Sequence, residues 1–140
     1  MKKSINFGIA FLLMLSVGCS QTSESGLNAE MTFKEDLTFD FGKIKQNSEG
    51  VHEFEFKNTG KDPLIITNVK SSCGCTVPTY PNAPVKKGDK GVISVKYDTK
   101  RIGVFNKTIT VYSNAKNSPI KLMIKGEVYE EASTNETISN

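Results

Sequence analysis

Apolar and polar residues alternate with a period of two along most of this chain, and that pattern constrains its fold more than any other feature. Three segments show it clearly: Val51–Asn58, Gly91–Asp98 and Ile120–Val128. Successive side chains of a β-strand point to opposite faces of the sheet, so strict alternation is typical of strands with one buried face. No segment after residue 18 carries the apolar stripe of a helix. The alternation predicts an all-β domain.

The alternation also assigns a face to the apolar residues. In Val51–Asn58 it places His52, Phe54 and Phe56 on one side of the strand. In the later strands it predicts these inward-facing side chains: Ile93, Val95, Tyr97, Ile109, Val111, Ile120, Leu122 and Ile124.

About seven short strands, separated by turns rich in Gly, Pro and Asn, fit into residues 29–129. One short strand begins at Met31, and a second ends at Gly42. Leu64–Ser71 is β-branched and mostly apolar, which is typical of a central strand. This set predicts an antiparallel β-sandwich of immunoglobulin-like type. An antibody-type domain is excluded, because the chain has no Trp and no widely spaced cysteine pair.

The first 18 residues have the three zones of a secretory signal peptide. A basic start is followed by a mostly apolar stretch over residues 5–17 and by the small residue Gly18. That stretch is shorter than the about 20 apolar residues that a membrane span needs. Residues 16–19 (SVGC) resemble a bacterial lipobox, with Ser in place of the usual Leu. The signal is therefore expected to be cut before Cys19, and Cys19 to be acylated.

Lipid on Cys19 anchors a chain to a membrane. The polar segment 19–28 then comprises the lipidated cysteine and a flexible tether. Residues 29–129 form the sandwich, and the polar segment 130–140 is expected to be a disordered tail. The signal implies the bacterial cell envelope, with lipid anchoring at the outer membrane or on the periplasmic side.

The charge balance excludes one class of partner. The whole chain has 18 basic and 15 acidic residues, but two of the lysines belong to the signal peptide. The mature chain is left with 16 basic and 15 acidic residues, a net charge of +1. A nucleic-acid-binding domain usually has a strongly basic face. We therefore expect no nucleic-acid partner.

The motif Cys73-Gly74-Cys75 carries two thiols that can form a disulfide, bind a metal ion or exchange with other thiols. In an extended strand, residues two apart lie about 6.6 Å apart, at the edge of the about 4.4–6.8 Å between Cα atoms that a disulfide allows. Gly74 can relieve this, because it adopts positive φ angles and lets the chain curl. Such a disulfide closes a very small ring, adds little stability through loop entropy and is expected to be easily reduced.

Three other interpretations of the pair stay open. Two thiolates on one loop suit Cu(I) or another soft metal ion, with His52 and Met123 as further candidate ligands. We expect His52 to be a partly buried residue near a strand end rather than a ligand. Thiol–disulfide exchange needs a low-pKa thiolate beside a cation, and Lys70 is the nearest in sequence. Finally, the two cysteines can simply fill space.

Several segments, taken in order, resemble one bacterial family, the domain of unknown function numbered fifteen seventy-three. The resemblance covers about residues 37–128. The segments that carry it are FDFGKI at 39–44, FEFKNTG at 54–60, PLII at 63–66, SCGCTVP at 72–78, Gly88, Gly91, and Ser113 with Asn114. It implies an immunoglobulin-like sandwich related to PapD, major sperm protein and ASH domains. It also implies small secreted proteins and lipoproteins, common in the Bacteroidetes, and no established activity.

Together these observations predict a non-enzymatic lipoprotein that acts as a binding or structural module in the cell envelope. Its partners are then the membrane, through Cys19, and an envelope protein of unknown identity. No cofactor is expected. The alternatives are copper-type metal binding or thiol–disulfide exchange through Cys73 and Cys75.

Overall fold

The computed structural model describes residues 28–131. These residues form eight strands and no helix, so none of them belongs to a helix long and apolar enough to cross a bilayer. The strands are β1 (Met31–Phe33), β2 (Thr38–Lys45), β3 (Val51–Asn58), β4 (Ile66–Ser71), β5 (Thr76–Thr79), β6 (Lys90–Tyr97), β7 (Gly103–Ser113) and β8 (Ile120–Tyr129). The predicted signal peptide, Cys19, nearly all of the tether and most of the tail lie outside the described residues.

The strands form two four-stranded sheets that pack face to face. The first sheet has the order β1-β3-β6-β5, and the second has the order β2-β8-β7-β4. All pairs are antiparallel except β2–β8, which is parallel. The predicted all-β, immunoglobulin-like sandwich is confirmed, with one parallel pair that alternation cannot reveal.

The core lies between the sheets and follows the predicted alternation. All eight side chains predicted to face inwards in the later strands are at most 8% exposed. Phe54 and Phe56 are buried on β3, while their neighbours Glu53 and Lys57 are exposed. Burial of one face per strand supplies the main driving force for this packing.

Three details differ from the sequence expectations. Leu64–Ser71 is not a central strand, because β4 is the last strand of its sheet. The strand at Phe39 continues past Gly42, where a bulge with a φ of 62° bends it. An eighth strand, β5, begins directly after Cys75 and was not predicted.

A row of aromatic side chains in contact lies between the two sheets, on the side of β2. His52 stacks on Phe39 with centroids 3.5 Å apart, and Phe39 meets Phe41 edge-on at 4.9 Å. The row continues to Phe105, which stacks on Tyr97 at 3.8 Å. Because His52 belongs to the first sheet and Phe39 to the second, these contacts hold the two sheets together.

The strand registers define two opposite ends of the sandwich. At one end Met31 pairs with Asn58, and Ala29 bridges to Ala115, so the N-terminal segment enters the domain there. We call this end the tether pole. At the other end the Cys73–Cys75 loop joins β4 to β5, so we call it the disulfide pole.

Candidate functional site at two neighbouring sheet edges

Cys73 and Cys75 are joined by a disulfide at the disulfide pole. Their Cα atoms lie 5.4 Å apart, within the range that the bond requires. The loop leaves the last strand of the second sheet and enters the last strand of the first. The loop that contains the bonded pair therefore joins the two sheets along one side of the sandwich.

Hydrogen bonds on both sides hold the loop in place. The Ser71 hydroxyl donates to the Cys73 carbonyl at 2.7 Å and accepts from the Cys73 N–H at 3.2 Å. On the other side, the Asp98 N–H donates to the Cys75 carbonyl at 2.8 Å. Cys75 is buried in the core, whereas Cys73 is half-buried. Cys73 is therefore the more accessible sulfur.

Gly74 does not close the ring in the way that we expected. Its φ lies outside the left-handed region, so the chain curls without the conformation that only glycine adopts readily. A Cβ at Gly74 meets no atom within 4 Å. A bend at residues 72–73 and a turn at 74–75 bring the two cysteines together, and the space above Gly74 is open.

His52 lies in the interior near the start of β3, as expected for a partly buried residue near a strand end. Phe39 covers one face of its ring, and Phe54 meets the ring edge-on at 4.6 Å. Burial lowers the pKa of His52, although Glu35 and Glu53 partly oppose that shift. Strand β6 separates β3 from β5, which places His52 about 10 Å from the column of β5.

The candidate metal ligands are not brought together. Met123 is half-buried between two fully buried neighbours, Leu122 and Ile124, and therefore faces outwards from the second sheet. His52 faces the interior. Within residues 28–131 no group of three His, Cys, Asp or Glu side chains is placed to hold an ion.

The free edge of β5 carries no available hydrogen-bond donor. Asp98 N–H faces β5, so the odd-numbered residues of β5 pair with β6, while Thr76 and Pro78 face outwards. The Thr76 N–H already donates to the Cys73 carbonyl at 3.4 Å, and Pro78 has no N–H. An added strand would find acceptors but no donors, which is a common way to protect a sheet edge.

The free edge of β4, on the same side of the sandwich, has the opposite property. The Ser72 N–H donates to the Thr108 carbonyl of β7 at 2.9 Å, so by alternation Val69 and Ser71 direct their backbone groups outwards. Within residues 28–131, neither of these N–H groups has a hydrogen-bond partner outside the strand ladders. The bulge of β4 lies between Ile66 and Asn68, so the pairing with β7 is regular from Asn68 to Ser71.

The two remaining edges are protected in other ways. At β1, the Asn117 side chain donates to the Met31 carbonyl at 2.8 Å and accepts from its N–H at 3.3 Å. At β2, the bulge between Asp40 and Lys43 interrupts the edge, and charged side chains flank it. There the Gly42 N–H donates to Asp40 and lowers the pKa of that carboxyl. β4 also has a bulge and an exposed lysine, Lys70, but its stretch Asn68–Ser71 is regular and keeps two outward N–H groups.

Sequence reasoning missed the residues that distinguish the two edges. Pro78 follows the cysteine motif by three residues, and a Pro within an apolar run is a signal for an edge strand. Val69 and Ser71 gave no signal, because their outward backbone groups depend on pairing with β7. The predicted residues Cys73 and Cys75 lie between these edges, whereas Cys19 lies outside the described residues.

The sequence belongs to a known family. The family model described as "Protein of unknown function (DUF1573)" matches residues 31–128, so the chain is a member of that family. This confirms the resemblance drawn from the sequence motifs. Among curated proteins, no sequence matches this chain.

Solved structures share the fold at low sequence identity. A protein of unknown function from Porphyromonas gingivalis W83 matches with a TM-score of 0.63 and 14% identity, over 74% of this chain and 48% of that chain. The chain thus spans about half the length of that protein. The ASH/PapD-like domain 7 of human CEP192 matches with a TM-score of 0.59 and 9% identity, over 91% of this chain and 99% of that chain. At these identities the likeness shows the fold alone.

Proposed function

We propose that this protein is a non-enzymatic binding module of the bacterial cell envelope, anchored by lipid on Cys19, that takes up an extended peptide segment at the free edge of β4. One observation carries the proposal: the outward N–H groups of Val69 and Ser71 lie on a regular stretch of a free edge, beside an edge that has no available donors. Strand addition uses such groups for affinity and alternate side-chain contacts for specificity.

The surroundings of the edge limit what fits there. The Leu64–Val85 bridge ends it near the tether pole, and the disulfide loop ends it at the other pole. The regular open stretch, Asn68–Ser71, accommodates about four extended residues of a partner strand. The exposed Lys70 beside it favours a partner segment with an acidic residue.

A backbone substitution tests the edge directly. Val69→Pro removes one outward N–H of an edge strand, where no ladder hydrogen bond is lost. Val69→Ala keeps the N–H and shortens the same buried side chain, so it controls for the packing loss. The readout is in-cell photo-crosslinking from an unnatural residue at Thr67. We expect one defined protein adduct that Val69→Pro abolishes and Val69→Ala retains.

A second crosslinking position supplies the control. Val77 is 58% exposed on β5, the edge without donors, and a crosslinker there should give no adduct of the same mass. Equal adducts from both edges, or an adduct that survives Val69→Pro, would contradict the proposal. Fractionation of the chain and of its Cys19→Ser variant tests the anchor, because only the acylated chain should stay with membranes.

A second candidate function is thiol–disulfide exchange. It is favoured by a bonded pair in which the half-buried Cys73 lies at the surface end of an open loop. Reduction and reoxidation in a glutathione series, followed by alkylation and mass spectrometry, would measure the potential of the pair. A pair that stays oxidised at cytosolic glutathione potentials argues against an exchange role.

A further inference from the structure

One buried side chain organises the point at which the chain enters the domain. Asn58 is 0% exposed. Its Nδ2 donates to the carbonyls of Asp62 at 2.8 Å and Val85 at 2.9 Å. Its Oδ1 accepts from the N–H groups of Gly60 at 3.0 Å and Glu30 at 3.5 Å. The start of β1 and two turns are therefore tied to the same group.

The backbone of the same asparagine holds the turn at residues 86–89. The Gly88 N–H donates to the Asn58 carbonyl at 2.8 Å, and the Asn58 N–H donates to the Asp89 carbonyl at 3.0 Å. Next to them, the Lys61 N–H donates to the Asn28 carbonyl at 2.8 Å. These turns keep a fixed position relative to the entering chain.

This unit carries several exposed cations. We define the basic patch as four exposed lysines: Lys57, Lys61, Lys86 and Lys87. None of them forms an ion pair with another residue between 28 and 131. Two carboxylates, Asp62 and Asp89, lie in the same turns. Four cations against two anions leave the patch positive.

The disulfide pole has fewer exposed lysines that lack an ion pair within residues 28–131, two against the four of the basic patch. There Lys45 pairs with Glu131, and Arg101 pairs with Asp98 at 3.5 Å. Lys96 and Lys100 are exposed at that pole, on and next to the end of β6. These two lysines serve as an internal comparison for the basic patch.

We propose that the basic patch rests on the anionic head groups of the bilayer that holds the acylated Cys19, an inference that depends on the anchor in the proposed function. Eight residues lie between Cys19 and Asn28, so the nine steps of the tether cannot span more than about 30 Å. Each lysine near an anionic surface strengthens binding about fivefold. The patch alone binds weakly, but the tether raises its effective concentration at the bilayer. The disulfide pole then points away from the membrane.

Lysine footprinting of the anchored protein tests this orientation. The acylated protein is placed in vesicles of phosphatidylcholine alone or with about one third phosphatidylglycerol, and flotation confirms that it is membrane-bound. Brief acetylation and mass spectrometry then give the labelling rate of each lysine. We expect the four lysines of the basic patch to label several-fold more slowly in the anionic vesicles, while Lys96 and Lys100 label equally in both.

Each outcome has a distinct meaning. The protection should disappear in about 1 M salt, where the screening length falls to about 3 Å. Protein that floats but shows equal labelling in both vesicles overturns the orientation alone. Protein that does not float overturns the anchor and the orientation with it. The same labelling is also done in native membranes. If the lysines of the basic patch are protected there but not in vesicles, the patch binds an acidic protein, and the lipid contact is overturned.

Matched variants sharpen the test. K86Q/K87Q changes two exposed turn residues and should remove most of the protection at Lys61. K96Q/K100Q, at the opposite pole, should leave the Lys61 protection unchanged. Loss of protection in both variants would show a general charge effect and overturn the assignment to the basic patch.

Discussion

The two poles of the sandwich are held by different chemistry. At the tether pole, the buried Asn58 side chain makes four hydrogen bonds to three separate segments. At the disulfide pole, a covalent bond joins Cys73 to Cys75, only two residues apart in sequence. A buried polar hub leaves several groups unpaired when it is removed, whereas a bond that closes a three-residue ring hardly restricts the unfolded chain. The difference suggests that stability resides in Asn58 and that the disulfide serves another purpose.

The largest effect is expected from removing the hub. Asn58→Ala removes four hydrogen bonds, and although the Val85 carbonyl still accepts from the Leu64 N–H, the Asp62 carbonyl and the Gly60 and Glu30 N–H groups lose this partner. The free energy of unfolding should therefore fall by about 3 kcal/mol. Asn68→Ala, on the half-buried outer side of β4, is the matched control and should change it by less than about 1 kcal/mol. Urea denaturation measures both. Equal losses in the two variants would refute the role of Asn58 as a hub.

The next largest effect is expected from a glycine substitution at the tether pole, compared with one at the disulfide pole. A Cβ at Gly60 overlaps the Asn28 carbonyl and the Glu30 backbone, whereas a Cβ at Gly74 meets nothing. Gly60→Ala should therefore lower the free energy of unfolding by about 1–3 kcal/mol. Gly74→Ala should change it by no more than about 0.5 kcal/mol. Thermal melts of the two proteins decide the contrast, and a costly Gly74→Ala would show that the loop needs glycine.

A smaller effect is expected from opening the disulfide. The chain-entropy relation gives roughly 1.5 kcal/mol for a ring of three residues. Reduction of the folded protein should lower the free energy of unfolding by about this amount and leave the far-ultraviolet circular dichroism unchanged. Denaturation with and without a reductant measures it. A loss as large as that of Asn58→Ala would place the disulfide among the main structural supports.

The smallest effect concerns pH near the disulfide pole. Burial lowers the pKa of His52 below the ordinary histidine value of about 6.5, so the unfolded chain binds this proton at a higher pH than the folded one. Its contribution is therefore complete above about pH 6.5 and is lost as the pH falls from there towards the folded pKa. Denaturation midpoints should decrease over that window. His52→Phe, which keeps an aromatic ring against Phe39, should flatten the decrease, and an unchanged pH dependence would contradict this assignment.

Most of the fold could be predicted from local pattern, whereas the site could be predicted only in part. The alternation at Ile93, Val95 and Tyr97 identified buried faces, because side-chain period depends on the strand itself. The order of the strands does not, so Leu64–Ser71 was wrongly expected to be central. The cysteine motif drew attention to the right loop, but the contrast between its two flanking edges was missed.

The sequence by itself determined the all-β sandwich, the buried faces of its strands and the membership of the family, because these depend on residue type and spacing. The tertiary structure decided which strands lie at the edges, which of their backbone N–H groups remain free, and that Asn58 joins three segments at the tether pole. It also placed Cys73 and Cys75 at the opposite pole. Those features depend on pairing between residues far apart in sequence, such as Ser72 with Thr108, which no local pattern encodes.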